Sequence, residues 1–137
     1  MSCCAICTPT SAGDQRALFG DGGRELDLIF DFHAMQLMYL ALARRRAEPL
    51  MRALGLPGAP RDCGWATFVR NHDELTLDRL SEEERREVFD AFAPSEDMRL
   101  YGRGSAAACP RCWTATSGGP DGLLARVLAP GIPVLFY

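Results

Sequence analysis

Between Phe32 and Ala34 the spacing of the apolar residues changes, and that change limits the folds open to this chain. Leu26, Leu28, Phe30 and Phe32 alternate with Asp27, Ile29 and Asp31. A period of two predicts a strand over 26–32, with Asp31 and His33 at its C-terminal end. From Ala34 onward Met35, Met38, Tyr39, Leu42 and Ala43 recur at helical spacing among good helix formers. A helix is therefore expected up to Arg46, with that stripe facing a core. Arg44, Arg45 and Arg46 fall in its last turn, where positive charge suits the helix dipole.

The same pattern then repeats. Pro49 opens a second short helix through Leu54, stopped by Gly55, Pro57, Gly58 and Pro60. Trp65-Ala66-Thr67-Phe68-Val69 is aromatic and β-branched, and predicts a second strand. Ser81 and Glu84 stand at the spacing of a capping box, opening a helix that turns Val88, Phe89 and Phe92 inward and ends before Pro94. Pro130-Gly131 introduces an apolar strand, Ile132-Pro133-Val134-Leu135-Phe136-Tyr137, on which the chain stops. Residues 1–17 show no period. Strand, helix, strand, helix, irregular segment, strand is the order of an α/β fold with a parallel sheet. Three strands close nothing, and a complete (β/α)₈ barrel needs about 250 residues. The chain of 137 residues is either a small α/β unit or part of a larger one.

Composition excludes several classes. Fifteen positive residues against 18 negative leave a net charge of −3, so no basic surplus points to nucleic acid. Arg44–Arg46 interrupt the longest apolar stretch before it reaches membrane-spanning length. Residues 1–20 lack a basic start and a sustained apolar run, so a signal peptide is not expected and the chain reads as cytoplasmic, with reduced thiols. Every positive residue is Arg and none is Lys, which suggests a GC-rich gene. Cys4 with Cys7, and Cys109 with Cys112, form two Cys-x-x-Cys pairs. They leave open a small zinc-binding module, although their separation is wide for one site, and a thioredoxin-like redox use.

The strongest local chemistry lies at Phe68-Val69-Arg70-Asn71-His72-Asp73, where the second strand gives way to a loop. In parallel α/β folds the C-terminal strand ends carry the active site. A carboxylate beside an imidazole at that edge is well placed to meet a polar substrate. Asn71 and Asp73 are equally ordinary turn residues, so spacing alone leaves a turn-making role beside the functional one.

Phe68–Asp73 resembles the stretch that ends the seventh barrel strand of the α-amylase superfamily, glycoside hydrolase family 13, with Asn-His-Asp. Residues 130–137 resemble its eighth strand, and Leu26–His33 with the following helix resembles its sixth strand and helix. Asn71-His72-Asp73-Glu74-Leu75 and Asp97-Met98-Arg99-Leu100-Tyr101-Gly102-Arg103-Gly104 are similar to the trehalose synthase branch, the maltose α-D-glucosyltransferases. The resemblance covers about residues 18–104 and 130–137. It implies a partial TIM (β/α)₈ barrel holding the equivalents of strands 6 to 8 with their intervening helices. It also implies chemistry on α-glucosidic bonds with retention, through a nucleophile and an acid about 5 Å apart. A third carboxylate, which maps onto Asp73, stabilises the oxocarbenium-like transition state, and His72 and Asn71 contact the same sugar. The family's nucleophile and acid follow its fourth and fifth strands, for which residues 1–17 have no room. The chain alone is therefore expected to be inactive. Asp31 reads as a strand-end polar residue and Glu74 as a loop residue. The expected partner is a maltose-type α-glucoside. No cofactor or metal is expected; calcium is common in the family, but no ligand cluster stands out. The inner barrel face, with Leu28, Phe30, Phe68, Val134 and Phe136, would lie open, so self-association is expected.

Residues 105–129 depart from the resemblance. After Gly104 the family pattern runs close to Ile-Arg-Arg-Arg-Leu-Pro-Pro-Met-Leu-Asp-Gly-Asp. Dropping one base from GC-rich codons for that run yields Ser-Ala-Ala-Ala-Cys-Pro-Arg-Cys-Trp-Thr-Ala, which is the sequence of residues 105–115. A change of reading frame after Gly104, restored by Pro130, is the expected origin of 105–129. Residues 1–17 are the other unmatched segment.

Overall fold

A computed structural model describes residues 4–5, 17–20, 25–55, 58–68, 75–102, 104–105 and 134–135. Four strands run parallel: β1 (Cys4–Ala5), β2 (Leu28–Phe30), β3 (Gly64–Phe68) and β7 (Val134–Leu135), in the order β1-β2-β3-β7. Cys4 pairs with Leu28, Ile29 with Trp65, and Phe68 with Leu135. The three expected strands thus lie side by side and parallel, an α/β arrangement. The sheet gains β1, from a segment whose sequence shows no period. Two residues are too few to display one; the neighbouring strand, not the local pattern, makes Cys4–Ala5 extended.

Among the described residues, the sheet is accompanied by the α-helices α1 (Phe32–Arg44), α2 (Glu48–Leu54) and α3 (Glu82–Phe92). Phe32 opens α1 instead of closing the strand. The cause is Asp31, whose carboxylate accepts a hydrogen bond from the Ala34 backbone N–H at 2.9 Å and caps the helix two residues earlier than the apolar period implies. α1 ends at Arg44, two residues short of the expected Arg46, because Arg45 follows in the left-handed conformation with φ 53°. Pro49 sits in the first turn of α2, where its missing N–H costs nothing. The capping box at α3 is complete: Glu84 N donates to Ser81 Oγ, and Ser81 N donates to the Glu84 carboxylate.

The core is broader than the expected stripe. Met35 and Met38 are buried, but so are Gln36, Leu37, Leu40 and Ala41, because α1 is enclosed by α2, α3 and β3 together. Met35, Leu37 and Leu40 pack with Phe68, Leu75, Leu77, Leu80, Val88 and Phe89. A second cluster joins Phe19, Leu26 and Ile29 to Trp65, with the Phe19 and Trp65 rings edge to face at 5.2 Å. Phe68 does not lie on an open face: it is 1% exposed, edge to face with Phe30 at 5.1 Å and with Phe32 at 5.0 Å. The expected apolar patch therefore loses Phe68, and Phe30 packs against the same cluster.

A second, antiparallel sheet has no counterpart in the sequence reading. It comprises β4 (Leu75–Thr76), β5 (Arg99–Leu100) and β6 (Gly104–Ser105), ordered β4-β6-β5. Its strands are two residues long, and two guanidinium groups fasten the segments beside them. Arg85 donates to the carbonyls of Leu77, Leu80 and Gly102. Arg99 donates to the Ala93 carbonyl at 2.9 Å while its guanidinium lies over the Phe89 ring. Among the described residues, no helix is long and apolar enough to cross a membrane.

Candidate functional site

The parallel strands end together. β2 stops at Phe30, and the next residue, Asp31, still donates its backbone N–H to the Ala66 carbonyl of β3 at 3.0 Å. β3 stops at Phe68, opposite Leu135 of β7. Asn71, His72, Asp73 and Glu74, the residues singled out in the sequence, lie outside the described residues, in the connection 69–74. The structure does describe both anchors of that connection. On one side Phe68 is locked into the aromatic trio with Phe30 and Phe32. On the other, Leu75 is buried and pairs with Ser105, two residues beyond Asp73.

Asp31 and His33 stand at the same edge. The Asp31 carboxylate is shielded from water, and this desolvation raises its pKa, against the lowering effect of hydrogen bonds from the backbone of Ala34 and His33. Committed to the helix cap, it has the role of a strand-end polar residue that the sequence suggested. His33, half-buried on the first turn of α1, is held below the usual histidine range, first by burial and then by the positive charges of Arg79 and Arg52.

Sequence reasoning missed the residues that fasten the far side of the connection. Gln36 is 0% exposed, inside the apolar run of α1. Its Nε2 donates to Asp78 Oδ1 at 2.8 Å and its Oε1 accepts from the Arg79 backbone N–H at 2.7 Å. The amide therefore clamps the turn that follows β4. One signal was available: a lone amide between Met35 and Leu37 is expensive to bury unless it is bonded on both sides. Arg85, on an exposed helix among other charges, gave none.

Among the described residues, no group of three or more His, Cys, Asp or Glu side chains is placed to hold a metal ion. Cys7, Cys109 and Cys112 of the two Cys-x-x-Cys pairs lie outside the described residues, and Cys4 is described only as part of β1.

No protein-family model matches the chain. Curated relatives do. Over 83 residues, 60% of this chain, it is 39% identical to the trehalose synthase of Thermus thermophilus. Over 90 residues, 63% of the chain, it is 36% identical to the trehalose synthase/amylase TreS of Mycolicibacterium smegmatis. Over 116 residues, 84% of the chain, it is 28% identical to the trehalose synthase of a Pimelobacter species. A parallel α/β unit whose strand ends gather at one edge is the class these observations define. Within that class, the chain is related by sequence to the trehalose synthases. The matched regions span 8%, 15% and 20% of the lengths of those three relatives.

Proposed function

We propose that the chain is the part of a trehalose synthase-like enzyme that corresponds to strands 6 to 8 of a (β/α)₈ barrel of the α-amylase superfamily. β2, β3 and β7 take the places of those strands, and the connection 69–74 carries the sugar-binding residues. The carrying observation is the 39% identity to the Thermus thermophilus trehalose synthase. The parallel order β2-β3-β7 supports it.

In this reading Asp73 holds hydroxyls of the glucosyl ring. Its negative charge is felt most strongly when positive charge grows at the anomeric carbon. That is binding of the transition state in preference to the ground state, which is what lowers a barrier. His72 and Asn71 contact the same ring and fix its position. The nucleophile and the acid belong to other strands, so the 137 residues by themselves bind without turning over. The reaction is rearrangement of maltose to trehalose by retaining glucosyl transfer. Hydrolysis of α-glucosides is a second reading, favoured by the word amylase in the name of the Mycolicibacterium relative.

The reading includes a cytoplasmic location and no nucleic-acid partner, cofactor or resident metal. It also includes a change of frame as the origin of 105–129, which sequencing of the locus checks. Maltose titration followed by amide NMR tests the site. Shifts at Asn71, His72 and Asp73 are expected, with affinity reduced about tenfold or more in Asp73→Asn, the scale of one charge-assisted hydrogen bond. Unchanged affinity in Asp73→Asn, or stoichiometric zinc on the purified chain, overturns the reading.

A further inference from the structure

Tyr101 suits neither the turn it occupies nor the core. It opens the connection between β5 and β6, where Leu100 pairs with Gly104. Its backbone is left-handed at φ 52°, and Gly102 follows at φ 64°. Glycine, asparagine and aspartate take that conformation readily, whereas a bulky side chain is strained there. Packing does not offset the strain, because Tyr101 is 81% exposed. A local rule broken without a packing gain is a mark of functional constraint.

The backbone under the ring is tied on both sides. Arg85 donates from Nη1 to the Gly102 carbonyl at 3.3 Å. Arg99 of β5 donates to the Ala93 carbonyl at 2.9 Å and lies over the Phe89 ring, 5.0 Å from its centroid. An aromatic ring held out on a tied turn loses little freedom when a ligand covers it. The two flanking guanidinium groups disfavour a cation as that ligand, although cations are common partners of an aromatic face. An uncharged pyranose fits better: its C–H face sheds water against the ring while its hydroxyls stay wet. The turn is also separate from the connection 69–74. Leu75 pairs with Ser105 and Thr76 with Gly104, so the turn lies beyond the Thr76 end of β4.

We infer that Tyr101 is a stacking platform for the pyranose ring of an α-glucoside, a contact apart from the one proposed at Asp73. The class of ligand rests on the carbohydrate reading; the place rests on the turn.

The test uses the full chain with maltose and, in parallel, with sorbitol, an open-chain polyol that has hydroxyls but no ring face. The Tyr101 ring and Gly102 amide NMR signals are followed in both titrations. Maltose moves both signals, and sorbitol leaves them in place. Tyr101→Phe keeps the Gly102 response. Tyr101→Gly weakens the affinity read at Gly102 by about threefold to tenfold, the scale of one aromatic contact. It also melts no lower than the unaltered chain, because glycine accepts a positive φ without strain. A ring silent to maltose overturns the platform, and so do equal shifts with sorbitol. A Tyr101→Gly chain that melts lower does the same, since it marks the side chain as structural. The two contacts fail separately. Shifts at Asp73 with a silent Tyr101 remove the platform and leave the proposed function. Unchanged affinity in Asp73→Asn, with Tyr101 still answering maltose, removes the proposed function and leaves the platform.

Discussion

Asp31 and Gln36 are two polar side chains on one helix, and their burial has opposite consequences. Asp31 caps α1, yet desolvation raises its pKa, so the folded state holds the proton more tightly than the unfolded one. The sign follows: its ionisation costs stability as pH rises from the unfolded carboxylate pKa toward the raised folded one. Asp31→Asn keeps a good cap without the charge and is expected to be neutral or stabilising at pH 7 in chemical denaturation. Asp31→Ala is expected to lose about 1 kcal/mol in the same measurement. Gln36 has no such cost because both ends of its amide are bonded. Gln36→Met, of similar length, leaves the Arg79 N–H and the Asp78 carboxylate unpaired. It is expected to destabilise by about 1–3 kcal/mol, read from the denaturation midpoint at unchanged slope. At this scale the sequence exposed the strand-end character of Asp31 but not its reach to Ala34, and it exposed Asn71, His72 and Asp73 as residue types at a strand end without their contacts. A contact with a residue 42 positions away, such as Gln36 to Asp78, leaves no local spacing to read.

The elements that the sequence revealed are those whose own residues determine them. α1 and α3 are long enough for a helical period, and α3 has its capping box written in Ser81 and Glu84. Ser81→Ala is expected to cost about 1 kcal/mol, measured by thermal melting, because one helix N–H loses its acceptor. At the other end of α1, Arg45 adopts a left-handed backbone with φ 53°. Arg45→Gly is expected to be neutral or to stabilise by up to about 1 kcal/mol, as removal of the Cβ relieves that conformation. The elements that stayed hidden are two residues long: β1, β4, β5 and β6. They are made by pairing with neighbouring strands, not by propensity, and the guanidinium groups of Arg85 and Arg99 fasten segments beside β4, β5 and β6. A tertiary clamp of this kind is invisible to any window a few residues wide.

The chain passes between two sheets of opposite character twice, from β3 to β4 and from β6 back to β7. The parallel strand β3 ends at Phe68, and the antiparallel sheet takes up the chain at Leu75. Self-association, proposed from an open inner face, now lacks Phe68 and has Phe30 partly covered; the large apolar residues exposed among the described residues are Met51, Leu54 and Tyr101. Sedimentation velocity over a range of concentrations checks it, with a concentration-dependent dimer or larger species expected and a monomer throughout contradicting it. Ser105 gives the junction a further meaning. It is the first residue of the stretch ascribed to a shifted frame, yet its backbone is paired with Leu75 on one side and Arg99 on the other. Ladder bonds are made by peptide groups, which are the same in every frame except at proline. The pairing of Ser105 is thus indifferent to the side chain at that position, and a change of frame proposed at this codon leaves it possible.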